Sequence, residues 1–156
     1  MSILDRFHLD GDTAIVTGGA RGLGKAMATG FAEAGADVAL LDIRAETAEQ
    51  TRDELRDIGI DSRVYETDVT DIDQVSDSVQ SVLNNAGIVR NAPAEEMSME
   101  DWHDVVDVDL NAVYYCAREV GGYMIDQGIA GRIINMSSMS GIIANYPQPQ
   151  ISYNAA

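Results

Sequence analysis

Residues 12–35, DTAIVTGGARGLGKAMATGFAEAG, pass from a β-branched run into a helical one through a glycine-rich loop. Thr13 to Val16 reads as a buried strand, because a short apolar run closed by glycine suits a pleat covered on both faces. From Leu23 onward, Leu23, Met27 and Phe31 fall four residues apart on one helix face, and Gly35 marks the stop. A glycine loop at such a turn fits two nucleotide-binding patterns. Gly19, Gly24 and Lys25 match the G-x-x-x-x-G-K of a phosphate loop, but the next residue, Ala26, has no hydroxyl to hold magnesium. That reading fails on chemistry. Gly18, Gly22 and Gly24 suit a dinucleotide loop instead, where glycines let the backbone approach a pyrophosphate at a helix N-terminus. Their spacing is T-G-x-x-x-G-x-G rather than G-x-G-x-x-G, and taken alone it also fits a plain tight turn.

Asp42 adds weight to the dinucleotide reading. ADVALLD (36–42) is a second buried strand, and the acid that ends it stands 20 residues beyond Gly22. An acid there can bind the adenosine ribose hydroxyls. A carboxylate repels a 2′-phosphate, so NAD is expected over NADP, with Arg44 placed to soften that choice. AETAEQTRDELRDIG (45–59) reads as a polar-faced helix, and DSRVYETDV (61–69) as a third strand. DIDQVSDSVQSV (71–82) reads as a helix with Ile72, Val75, Val79 and Val82 on its buried side. Alternating strands and helices predict an α/β protein with a Rossmann-type, doubly wound parallel sheet and helices on both faces. The helix reaching Val82 passes into LNNAG (83–87) with no turn, a cramped join that predicts residues absent between Val82 and Leu83.

From Met99 to Met124 the apolar Trp102, Val105, Val106, Leu110, Val113, Tyr114, Ala117 and Val120 keep helical spacing, as one long helix or two end to end. Asp101, Asp104 and Asp107 form a solvated face, and His103 among them lacks the converging ligands of a metal site. Arg132 to Met136 is a further buried strand.

The bulk properties narrow the function. At 156 residues, the chain is expected to be a single domain. Asp and Glu number 26 against 10 Lys and Arg, a formal charge of −16, and Lys25 is the only lysine. Such a surface repels nucleic acid and anionic membranes, which argues against both as partners. The carboxylates are spread along the chain, which suggests a halophilic protein whose self-repulsion is screened by salt. No apolar run approaches the roughly 20 residues of a membrane span. The opening MSILDRFHLDGD has no signal-peptide pattern, and the lone Cys116, read as a small buried residue, suits a reducing compartment. A cytoplasmic location is expected.

The motifs TGGARGLG (17–24), TDV (67–69), NNAG (84–87), MSS (136–138) and SYNAA (152–156) follow in this order on the expected elements. In this the chain resembles the short-chain dehydrogenase/reductase family. The resemblance implies strand order 3-2-1-4-5 in one dinucleotide-binding domain over residues 1–156. It implies cofactor contacts from Gly18, Arg21, Gly22, Leu23, Gly24 and Asp42, an adenine bordered by Asp68 and Val69, and Asn85 beside the cofactor ribose. It implies Asn111, Ser138 and Tyr153 as catalytic residues. Tyr153 would take the alcohol proton, Ser138 would bind the substrate oxygen, and Asn111 would hold a water in the proton path. A free phenol has a pKa of about 10, so this base needs a nearby ammonium and the positive nicotinamide. The family's lysine, four residues after the tyrosine, would be residue 157, past Ala156. The chain is therefore expected to lack the C-terminal part of a longer enzyme.

SMSGIIANYPQPQ (138–150) looks like the corresponding loop of sugar-alcohol members of the family. Pro147 and Pro149 stiffen it, and Asn145, Gln148 and Gln150 offer amides to substrate hydroxyls or simply to protein. The expectation is an NAD-dependent dehydrogenase of a polyol or other secondary alcohol. A 3-ketoacyl reductase and a non-catalytic dinucleotide-binding domain are the alternatives. Apolar and aromatic excess on the long helix pair, including Tyr114, Tyr115 and Tyr123, together with the family's habit, implies a homodimer or homotetramer.

Overall fold

The computed structural model describes residues 7–78, the backbone of 82–84, and residues 93–142 and 149–156. β1 (Thr13–Thr17) lies parallel to β2 (Asp37–Asp42), with Thr13 opposite Asp37 and Thr17 opposite Leu41. β3 (Ser62–Glu66) extends the sheet beyond β2, while β4 (Val82–Asn84) and β5 (Ile134–Asn135) extend it on the other side of β1. All pairings are parallel and the order is β3-β2-β1-β4-β5, as expected.

Strand alternation divides the core in two. Val16, Val38 and Leu40 pack against Ala28 and Ala32 of α1 (Gly22–Glu33) and Leu55 of α2 (Ala45–Ile58). Ile15, Ala39 and Leu41 face the opposite layer. There they meet Val75 of α3 (Ile72–Ser76) and Cys116, Val120 and Met124 of α5 (Ala112–Gln127). Leu40 is 0% exposed, and burying one such side chain contributes about 1.5–3 kcal/mol. Burial also pushes the Cys116 thiol up to about 11, so it stays protonated and unreactive near neutrality.

Elements end where local chemistry stops them. Asp71 caps α3 by accepting from the amides of Asp73 and Gln74, and the Ser98 hydroxyl caps α4 (Met99–Val106) by accepting from Asp101. Gly59 and Gly128 close α2 and α5 in the left-handed region that glycine enters without steric cost. α4 continues into α5 through a π-helical turn, Asp107–Asn111, so the two predicted helices form one rod.

Three expectations are corrected. The helix opened by Asp71 stops at Ser76, and Val82 and Leu83 pair with Ile15 and Val16 as strand β4. Valines suit both periods, and the vacant place beside β1 decides the matter; Val79 lies outside the described residues. The fully buried stripe of α1 is Gly24, Ala28 and Ala32, small residues that let the helix lie close to the sheet, while Met27 and Phe31 pack half-buried against the core as expected. Leu23, in the first turn beside the loop, is 69% exposed. The buried strand expected over 132–136 keeps only Ile134 and Asn135, both exposed, with Ile133 half-buried against the core.

Candidate active site

In a parallel sheet of this order the chain moves outward from β1 to β3 and then returns to β4. The order therefore reverses at β1, and open sheets of this kind take ligands beside the carboxyl ends of the strands at such a switch point. The glycine loop follows β1 at that edge. Gly18 and Gly22 have φ of +65° and +58°, which a β-carbon would strain. A β-carbon on Gly19 would come within 2.7 Å of Leu40 Cδ2 and 3.1 Å of the Val16 carbonyl, so only glycine lets the loop lie this close to the sheet. Arg21 precedes α1 in extended conformation with no side-chain cap, and the first turn carries no acidic residue. This helix start presents backbone amides without a competing anion, which fits a pyrophosphate.

Asp42 is 3% exposed at the end of β2. Its Oδ2 accepts from the Ala20 N–H at 3.0 Å, and its Oδ1 from the Arg44 N–H at 3.0 Å. The Arg44 guanidinium reaches the same carboxylate, with Nε 3.2 Å from Oδ1 and Nη2 3.4 Å from Oδ2. Asp42 thus ties the loop to the sheet. The Ala20 carbonyl accepts from Thr51 Oγ1 at 2.9 Å. Thr51 escaped the sequence reading. Its signal was a hydroxyl on the apolar stripe Ala48–Thr51–Leu55 of an otherwise polar helix. Lys25 points away from the loop and binds Glu54 on α2, with Nζ 2.7 Å from Oε1.

The Thr67 N–H donates to the Asp42 carbonyl, which brings the turn after β3 beside Asp42. In that turn Asp68 Oδ1 accepts from the Thr70 hydroxyl at 2.6 Å and its amide at 2.9 Å, and Val69 packs against the core. Asn85 follows β4 and lies outside the described residues.

Asn111 ends the π turn, and its side-chain amide donates to Asp107 Oδ1 at 2.7 Å. Ser138, past the carboxyl end of β5, opens a 3₁₀ turn (Met139–Gly141), and its Oγ accepts from the Ser140 amide at 3.2 Å. Because the hydroxyl accepts that bond, its own proton remains available to donate. Tyr153 is half-buried on α6 (Ile151–Ala155), a short helix packed against α4 and the 3₁₀ turn. The next residue, Asn154, donates from Nδ2 to the Ser140 carbonyl, which binds the tyrosine segment to the serine segment. Gln150 is half-buried and Pro149 exposed, whereas Asn145, Pro147 and Gln148 lie outside the described residues.

Known proteins resemble this chain in sequence and fold. A family model described as short chain dehydrogenase matches residues 12–156. Galactitol 2-dehydrogenase of Rhizobium johnstonii is 40% identical over 167 aligned positions, covering 100% of this chain and 64% of its own length. The NADP-dependent mannitol dehydrogenase of Hypocrea jecorina is 39% identical, covering 99% of this chain and 63% of its own. The chain therefore spans less than two thirds of these curated relatives. The first alignment is longer than the chain's 156 residues, so that relative carries residues inside the matched span that this chain lacks. A crystal structure of a short-chain type dehydrogenase/reductase from Mycobacterium marinum superposes with a TM-score of 0.95 at 34% identity, covering 99% of this chain and 67% of the other. On these matches and on the geometry of its glycine loop and sheet, the chain belongs to the short-chain dehydrogenase family.

Proposed function

We propose that the protein is a nicotinamide-dependent oxidoreductase that interconverts a secondary alcohol of a sugar alcohol and its ketone. The observation that carries this is the Asn154–Ser140 hydrogen bond, which joins the Tyr153 and Ser138 segments at the same sheet edge as the glycine loop. The amides at the start of α1 and the loop Gly18–Gly24 would hold the cofactor pyrophosphate. Asp42 would face the adenosine ribose, with Asp68 and Val69 by the adenine and Asn85 by the second ribose. The bound nicotinamide would supply the hydride acceptor or donor. Ser138 would donate its hydroxyl proton to the substrate oxygen and fix its position. Tyr153 would take the alcohol proton in oxidation and return it in reduction, and Asn111 would hold a water in the proton path.

The substrate class follows the names of the two relatives, galactitol 2-dehydrogenase and mannitol dehydrogenase. A panel of galactitol, mannitol and other polyols against a 3-ketoacyl thioester tests it. Turnover confined to the thioester would overturn the polyol reading. Cofactor preference rests on Asp42, although one relative is NADP-dependent by name. Its carboxylate repels a 2′-phosphate, and the Arg44 guanidinium over it moderates that repulsion. NADH is therefore expected to bind more tightly than NADPH. Arg44→Ala should weaken NADPH binding by a further two- to fivefold or so, as loss of a partly exposed ion pair would. Tighter NADPH binding by the unmodified protein would reverse the assignment.

The proposal takes residues 1–156 as a single dinucleotide-binding domain. No described helix is long and apolar enough to cross a membrane. A cytoplasmic setting is proposed from cysteine use. Leu110 and Tyr114 on the α4–α5 rod are 48% and 61% exposed, and they support pairing of this rod with a second copy in a homodimer or homotetramer. Light scattering should report an assembly that Leu110→Glu with Tyr114→Glu dissociates. A monomeric unmodified protein would refute the pairing.

A further inference from the structure

The middle of the glycine loop is gripped from two directions by side chains of other elements. Asp42 at the end of β2 takes the Ala20 N–H, and Thr51 on α2 donates to the Ala20 carbonyl. Ala20, Asp42 and Thr51 are 2%, 3% and 1% exposed, so water does not compete for either bond. The two bonds fix the peptide planes on either side of Ala20 and hence its φ and ψ. A trans peptide is planar, with its N–H directed opposite to its carbonyl. Holding the Ala20 carbonyl toward α2 therefore turns the Arg21 N–H the other way, away from α2. The Gly18 N–H bond to the Leu41 carbonyl, at 2.8 Å, anchors the near end of the loop.

We propose that Thr51 is a positioning residue of the dinucleotide loop. With Asp42 it clamps Ala20 and holds the amides that follow in the conformation that receives the pyrophosphate. This rests on the reading of the loop as a dinucleotide site. Thr51 does not touch the ligand and acts through Ala20. Without its hydroxyl the Ala20 carbonyl loses a buried partner, and the loop spends part of its time turned elsewhere. Apparent affinity falls by the fraction of competent molecules that is lost.

The test uses the full-length protein and titration with NADH and NADPH. Thr51→Val, which keeps the volume and removes the hydroxyl, should raise the Kd of the better cofactor about tenfold. KM for that cofactor should rise in step, while kcat at saturating cofactor stays near the parent value. Thr51→Ala, less crowded at the same site, should show the same rise if the valine variant folds poorly. Thr51→Ser should restore parent affinity. Parent-like affinity in both hydroxyl-free variants overturns the proposal, as does a serine variant as weak as the valine one. If the unmodified protein binds neither cofactor, the dinucleotide reading falls and takes the proposal with it.

Discussion

Tyr153→Phe in the full-length protein is expected to lower sugar-alcohol turnover about 10²–10⁴-fold, the range of a positioned acid–base group, with little change in NADH affinity. Phenylalanine keeps the ring at this half-buried position and removes only the oxygen proposed to exchange the proton. The neighbouring Asn154 bond to the Ser140 carbonyl involves neither the ring nor the phenol, so the segment should stay in place. Ser138→Ala should cost about 10²–10³-fold, as for other lost donors to a reacting oxygen. The double variant should be little worse than Tyr153→Phe alone, because residues that act on one proton transfer are not additive. Steady-state rates and NADH titration on the three variants decide the matter. A Phe variant with parent turnover would show that the base has been placed on the wrong residue.

How much of this could be read from the chain follows the range of the interactions. β1, the glycine loop and α1 are contiguous, so TAIVTGG and the glycines that follow declare them. Strand–helix alternation predicted a parallel sheet, the family resemblance implied its order, and the structure has both. What stayed hidden is non-local. Val82 reads equally as the end of a helix face or the start of a strand, and its pairing with Ile15 decides for the strand. Leu23 matches a buried stripe by spacing, yet its place in the first turn beside the loop leaves it exposed. Asp42 was legible as an acid at a strand end, but its bond to Ala20 spans 22 positions. The Thr51–Ala20 bond spans 31 positions, and the hydroxyl on the buried stripe of α2 marks Thr51 without naming its partner. The π turn that ends at Asn111 is equally silent, since its sequence keeps ordinary helical spacing.

Melting temperature should rise on the order of 10 °C between about 0.1 M and about 2 M KCl, because this chain carries far more negative charge than it can pair. Acids outnumber bases 26 to 10. Several of those bases already sit on carboxylates: Lys25 on Glu54, Arg44 on Asp42, Arg52 on Asp53, Arg63 on Asp61. The excess acids must repel one another on the folded surface, and unfolding relieves that repulsion by spreading them apart. Salt shortens the Debye length from about 10 Å at 0.1 M to about 3 Å at 1 M, so screening reaches even neighbouring side chains. Two positions separate this cause from a general salt effect. Asp57 and Asp126 are exposed in the last turns of α2 and α5, where negative charge also faces the negative end of the helix dipole. Asp57→Lys with Asp126→Lys should raise the melting temperature by roughly 2–4 °C in low salt and by visibly less in high salt. Sucrose at matched osmolality strengthens burial without screening charge, so it should raise the parent and the double-lysine variant alike, whereas KCl should raise the parent more. A melting temperature unchanged between the two KCl concentrations, or equal KCl gains in the parent and the double-lysine variant, would remove self-repulsion as the limit on this fold.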